Sequence, residues 1–468
     1  MKRATLHRFR QEQAGSGLLG TLMLVTVLSI LISSVLAVHL VQYRLIRRQT
    51  HRVQARYAAE AGVYLAIDRL QHSPYWRATD TLLALPEGQV SRVTVEAFGG
   101  YVLIFSEAQY RRSRAAVRAR VGEIPPPYFD HAVQLQDGSA GLHLAGTTRI
   151  TGTIVVGRRG VKTSTFKRER FTGRIQGAVF RVPDLEPPYF DNVMLEQAME
   201  GAEQHLHGTA ERSIRAAYLP LARRLPGDNP VLFTTGDLRL GDVDSLLLRE
   251  PVTVVAGGNL VLEGPIRLQP GTMLIAGKTL RVRQSVAGRG GLFYGREGIE
   301  VTAGATVSGQ FFSQQHIRIA GNAYVGYPSL LYVAGEEVAP GGGIVVEEGA
   351  VVDGTIIYPP MDPEPAGRRG RIRIQSGAYV RGAIFNAHET EFHGTLYGTL
   401  LTRSFYFYDA PARYVNWVKD AVIDVEERPV SYRLPLCFST APRLDVLNWE
   451  IIVEEVEGSD PDLGSGST

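Results

Sequence analysis

The chain has one cysteine, Cys437, among its 468 residues. That excludes an intrachain disulfide and any zinc site built from several thiolates. Lysine is scarce too: only five of the 50 basic residues are Lys. Charge of either sign is not in excess, and a net charge of +3 exerts no global pull toward nucleic acid. Aspartate is missing altogether between Asp244 and Asp353. There is no Gly-rich phosphate loop, no His-Glu-x-x-His and no Gly-x-Ser-x-Gly.

Against these absences stand a hydrophobic content of 44% and a charged content of 21%, the balance of a globular chain. Glycine, at 50 residues, is concentrated in the second half, which points to a turn-rich β architecture. Leu18 to Val41 are 24 positions without a formal charge, His39 being the only titratable side chain. At about 1.5 Å per residue such a helix crosses a bilayer core of about 30 Å. The run is too long for a secretory signal and continues into Gln42–Tyr43–Arg44 without an Ala-x-Ala boundary. It therefore reads as a transmembrane anchor in contact with lipid. Basic residues flank it on both sides, so charge alone does not orient it. From Tyr43 to Leu70 only Gly62 interrupts a helical pattern, with Ile46, Val53, Tyr57, Ala61, Tyr64, Leu65 and Ile67 as its apolar stripe. The expectation is a leader over 1–17 and one long helix over 18–72, half in lipid and half amphipathic.

The basic leader Met1–Gln13, the Gly15–Ser16–Gly17 step, the apolar run and Ala58–Ala59–Glu60–Ala61–Gly62 together resemble the N-terminal region of type IV pilins and type II secretion pseudopilins, above all the PilX-like minor pilins. The resemblance covers about the first 70 residues. It implies prepilin-peptidase cleavage after Gly15 or Gly17, the latter leaving Leu18 first, and an N-terminus in the cytoplasm of a bacterium. The body would then stand in the periplasm or outside the cell, and Ala58 to Gly62 would serve as a helix-assembly motif with other pilin-type subunits. The family carries a Glu at the fifth position after the cut. Here that position is Leu22 or Gly20, a departure the family tolerates in some minor or tip subunits.

Residues 73–124 read as a small β unit, loop-like over 73–88, with strands Arg92–Ala97, Tyr101–Ser106 and Arg114–Val121. Pro125–Pro126–Pro127 ends it. Pro126–Pro127–Tyr128–Phe129–Asp130 returns as Pro187–Pro188–Tyr189–Phe190–Asp191, either a docking element used twice or a recurring boundary turn, the latter being favoured. Residues 125–190 form a hinge and a first coil.

Between Gly141 and Thr402 short strands alternate with glycines, as in Gly304–Gly309, Gly349–Gly354 and Gly377–Gly382. Apolar pairs recur at roughly 18–20 residues: Val254–Val255, Leu274–Ile275, Leu292–Phe293, Phe311–Phe312 and Leu330–Leu331, then Ile356–Ile357 and Ile384–Phe385 at longer gaps. A period near 20 in a β composition predicts a parallel β-helix of about seven or eight turns, with a regular β-sandwich as the rival. A helical insertion over 191–225, with Met194, Leu195, Ala198 and Ala202 on one face, separates the first coil from the main run at 226–404. Aromatic residues in 405–457 form a cap, and 458–468 is a disordered tail. The fold class is mainly β. The Gly-x-Val-x-Gly turns resemble those of bactofilins, polymer-forming cytoskeletal β-helices.

Polysaccharide-cleaving β-helices place several Asp side chains on neighbouring turns, so the Asp gap argues against an enzyme. The one polar cluster is His388, Glu389, Glu391 and His393. On a strand, Glu389, Glu391 and His393 share a face and have the donors for a metal, while a solvated outer face is the favoured reading. The chain is thus read as a structural, membrane-anchored pilin-like protein without catalytic residue, metal or cofactor, and without nucleic acid among its partners. An anchored self-assembling scaffold and a β-helix that binds or cleaves a surface glycan are the alternatives.

Overall fold

A computed structural model describes residues 4–85, 89–207, 231–241, 246–247, 251–264, 266–283, 285–288, 290–334, 342–360 and 371–456. The expected tail over 458–468, and the insertion beyond His207, lie outside these residues.

Helix α1 runs unbroken over Ala4–His72. Apolar side chains from Leu19 to Ile46 are exposed, and no described part of the protein packs on them. The helix is long and apolar enough there to cross a membrane. Its second half is seated on one side by Ala55, Ala58, Ala59, Val63, Ala66, Ile67 and Leu70, all buried and spaced three or four apart. The expected stripe is largely overturned. Ile46, Val53, Tyr57, Tyr64 and Leu65 are exposed, and alanines replace them at the contact. Small side chains let the helix axis approach its support closely, which tyrosines would prevent.

That support is a five-stranded antiparallel sheet. Strands β1 (Ala78–Ala84), β2 (Val90–Phe98), β3 (Tyr101–Tyr110) and β4 (Ser113–Glu123) follow each other as a meander. The fifth, Leu444–Val456, pairs antiparallel with β4 from the far end of the chain. Val93, Val95, Val102, Ile104, Val117 and Val121 form the face under α1. Two sequence expectations change here. The stretch read as a loop over 73–88 contains β1, whose positive-φ Asp80 and register shift between Ala78 and Thr81 break the strand alternation. The end of the stretch read as a cap over 405–457 is the sheet's closing strand.

Residues 124–443, between β4 and the closing strand, carry a large parallel β-solenoid. Its central column of inward side chains stacks in register from Leu232 through Val254, Leu274, Phe293, Phe311, Leu331, Ile356, Ile384 and Leu400. Phe293 and Phe311 stack with centroids 4.7 Å apart. Each apolar pair seen in the sequence straddles the wall. One member enters the solenoid core and the other enters a second cluster outside it, against helix α2 (Val193–His207) and the five-stranded sheet. Gly304, Gly349 and Gly377 turn the corners with φ of 76°, 76° and 73°, a region open to glycine without strain.

The order of coils departs from the order of the chain. The last long strand, Thr395–Asp409, pairs with His131–Leu135, so Leu400 continues into Val133 and then Ile154. Val422–Asp424 likewise pairs with Arg149–Thr151. Residues 131–181 are therefore the far end of the stack, beyond the last coil of the main run, and the stack has more than the seven or eight turns expected. The chain lays down that end first and returns along the side through α2. It then coils back from Val231 until it meets its own first coil.

Candidate functional site: helix seat, junction and polar cluster

Ala58 and Ala59 are buried, Ala61 and Glu60 are half-buried, and Arg56 donates to Glu60 at 2.8 Å one turn away. Ser106 Oγ donates to the Ala59 carbonyl at 2.7 Å and lies 2.7 Å from Ser91 Oγ. A Cβ on Gly62 would overlap both hydroxyls. The Ala58–Gly62 motif is thus occupied in seating α1 on its own sheet, while Tyr57, Tyr64 and Leu65 on the other side of the helix are exposed. Gly15, Gly17 and Leu18 fall within the backbone span of α1, and their side chains lie outside the described residues.

The two Pro-Pro-Tyr-Phe-Asp copies meet at one junction. Tyr128 donates to the Tyr189 carbonyl at 3.3 Å and to the Phe438 carbonyl. Phe129 packs edge-on against Phe438 at 4.9 Å, while Phe190 stacks on Phe385 at 4.7 Å and tilts against Phe438 at 5.6 Å. Asp130 pairs with Arg428 at 3.0 Å, and Asp191 accepts from Tyr75, just beyond α1. Each copy ties the solenoid to the segment leading into the closing strand.

Two buried charges lie at this seam. Glu123, at the end of β4, accepts from the Phe438 amide at 3.2 Å, and burial pushes its carboxyl up to about 7. Arg120 is 1% exposed and donates to the Gly290 carbonyl at 3.1 Å. Its Nε and Nη1 have no partner among the described residues, and burial lowers its pKa to about 10. A Cβ on Gly290 would overlap the Arg120 guanidinium. Strand alternation sets Arg120 with Arg118 on the face opposite Val117 and Val121, yet Arg120 is buried under the solenoid corner; Glu123 had no signal in the sequence.

The polar cluster is not a solvated face. Glu389 and Glu391 are 5% and 9% exposed. The hairpin formed by Thr395–Asp409 and Ala412–Val415 folds over them, with the Tyr406 ring between the Arg371 and Arg413 guanidinium groups at 4.3 and 4.7 Å. Glu389 pairs with Arg371 at 3.4 Å and Arg413 at 3.8 Å, and Glu391 pairs with Arg373 at 2.7 Å. His393 Nε2 lies 3.6 Å from Glu391. Burial opposes ionisation of Glu391, but hydrogen bonds from His393 and Arg373 outweigh it and hold the carboxyl below its ordinary value. His388 points elsewhere, its Nε2 3.0 Å from the Pro359 carbonyl. Among the described residues no group of three or more His, Cys, Asp or Glu is arranged to hold a metal ion.

No family model matches the chain, and no curated protein matches it in sequence. Two solved structures align with much of it. The competence-associated pilin ComZ from Thermus thermophilus is 13% identical over 87% of this chain and 98% of that one, with a TM-score of 0.18. An ice-binding protein from an Antarctic biological consortium is 12% identical over 65% of this chain and 90% of that one, with a TM-score of 0.16. At those scores neither likeness bears on what this chain does.

Gly62→Ala is expected to lower the thermal midpoint of the detergent-solubilised chain. Adding Ser91→Gly, which removes one of the two overlapping hydroxyls, should recover part of the loss; a purely additive double variant would contradict this packing. Glu123 gives a pH dependence of definite sign. Its folded pKa lies above the ordinary 4.5, so the folded state holds the proton more tightly and stability falls as pH rises from about 4.5 to about 7. Glu123→Gln should flatten that part of the melting-temperature profile.

Proposed function

We propose that this chain is a non-enzymatic, membrane-anchored, pilin-type subunit that displays a rigid β-solenoid outside the cytoplasm of a bacterium. The observation that carries the reading is the division of α1. One half is fully exposed and apolar; the other is seated on a sheet into which the solenoid is inserted between neighbouring strands. An exposed apolar half-helix serves lipid first and then the equivalent helices of other pilin-type subunits in an assembly. The inserted body presents a surface without disturbing that packing, as a minor subunit of a type IV pilus, a type II secretion-like assembly or a surface-attachment organelle would. The absence of a Glu at Gly20 or Leu22 favours a tip or initiating position, where no preceding N-terminus needs a counter-charge. The non-enzymatic part rests on the polar cluster, whose carboxylates are already paired with arginines on neighbouring strands.

A second reading, a glycan-binding surface, is favoured by one solenoid face. Tyr324 and Tyr379 are 37% and 44% exposed in the same register column, two strands apart, with Asp353 and Arg381 beside them. Asp353 accepts from Tyr324 at 2.7 Å and from Arg381 at 2.5 and 2.7 Å. Two strand spacings are about 10 Å, a separation that spans two sugar rings.

The pilin reading predicts a size shift in the native bacterium. Loss of the prepilin peptidase should leave a C-terminally tagged chain longer by the residues up to Gly15 or Gly17. A band of one size in both strains would leave an uncleaved anchored scaffold instead. The glycan reading predicts that Tyr379→Ala with Tyr324→Ala abolishes retention on immobilised surface polysaccharide while the thermal midpoint is kept; undiminished retention would remove this face from consideration.

A further inference from the structure

Among the described residues both ends of the solenoid present unpaired strand edges: Val231–Thr234 and Leu238–Leu240 lie at one, and the other is the end laid down first. Its outermost strands, Arg174–Gln176 and Val179–Arg181, pair inward with Arg149–Thr151 and Ile154–Val156, and no described strand pairs with their other edge. The Ile154 amide donates to the Ala178 carbonyl at 2.9 Å and the Val182 amide donates to the Val156 carbonyl at 2.9 Å. By the alternation of a parallel ladder, the amides and carbonyls of Val179 and Arg181 face outward. The rim is apolar: Phe180 is 55% exposed, Val179 is 39% exposed, and Ile175 is half-buried. An open strand edge with apolar side chains is a template for another strand.

The exposed charge around this end is mostly positive, with Glu169, Asp184 and Glu186 as its acids. Arg159, Lys162, Arg168, Arg170, Arg174 and Arg181 are exposed and make no ion pair among the described residues. Nearby, Arg158 faces Asp184 at 4.0 Å, and Lys167 pairs with Asp409 at 2.5 Å. Two of the five lysines of the whole chain lie here. The cations sit on three sides of the coil. Arg174 continues a register column from Arg149, Lys162 lies on the strand opposite His143, and Arg181 lies over Gly160 in the turn after Arg158 and Arg159. Such a ring repels the same end of a second copy, because like charges would be desolvated against each other. A polyanion alone would satisfy the ring but leave the edge amides and Phe180 uncovered.

We propose that this basic end of the solenoid is a docking surface for an extended acidic segment of a partner protein, which adds as a further parallel strand. Backbone hydrogen bonds to Val179 and Arg181 set its register, the apolar rim takes its alternate apolar side chains, and the ring of arginines and lysines selects acidic flanks. This surface does not depend on cleavage of the leader.

The test uses the full chain in non-ionic detergent and fluorescein-labelled peptides of alternating Val and Glu. Expected are at least tenfold tighter binding than the Val/Lys counterpart and loss of binding when a central Val of the peptide is replaced by Pro. Two variants separate the components. Arg174→Glu with Arg181→Glu removes the charge selection and should weaken binding at least tenfold. Val179→Pro removes an outward amide while leaving the inward bonds, and should weaken binding similarly at an unchanged thermal midpoint. Binding indifferent to proline in either partner would overturn strand addition in favour of simple electrostatics. So would duplex DNA or heparin bound more tightly than the peptide and equally by Val179→Pro. Concentration-dependent self-association of the full chain, abolished by Val179→Pro, would replace the acidic segment by a second copy.

Discussion

The pairing of β4 with Leu444–Val456 is the contact on which the rest of the molecule depends. It closes the sheet that seats α1, and it holds the two ends of the solenoid insertion side by side. Arg118 faces Glu450 across it at 3.6 Å, and Trp449 reaches the Tyr64 ring on α1 with centroids 6.2 Å apart. Because the paired strands are so distant in sequence, this closure carries a large loop entropy that only the packed insertion can offset. The insertion helps by being rigid: its coils bury a continuous apolar column, and its first and last coils pair with each other.

The junction transmits this rigidity. Both Pro-Pro-Tyr-Phe-Asp copies converge on Phe438, Glu123 holds the Phe438 amide, and Arg120 reaches across to Gly290. An arginine buried with one backbone acceptor is costly in itself. At this place it joins strand β4 to a solenoid corner that has no room for a side chain. Sheet and solenoid are thereby linked through a buried, aromatic-rich seam.

The two solenoid surfaces differ in kind. The long walls carry paired charges, as between Arg281 and Glu300 at 2.8 Å and between Arg373 and Glu391 at 2.7 Å, which neutralise each other from strand to strand. The end near Val179 carries cations without such partners around an unpaired strand edge. A coil in mid-stack can exchange charges with neighbours above and below; a terminal coil has a neighbour on one side only.

The long helix with its apolar half and the solenoid were legible in the sequence because each rests on a local or regularly repeated signal. An uncharged run of bilayer length is one, and an apolar pair recurring near every twentieth residue is another. What the sequence did not show are contacts whose partners lie hundreds of residues apart. The closing strand was hidden by two register shifts, near Asn448 and Val453, that break the two-residue alternation. Which face of α1 is buried depended on how closely a helix approaches a sheet, so alanines and Gly62 outranked the tyrosines that a hydrophobicity pattern prefers. The burial of Glu389 and Glu391 depended on a hairpin folding over them. The order of coils was decided only in three dimensions: adjacent turns of a parallel solenoid require matching register and apolar faces, and neither requires adjacency in the chain.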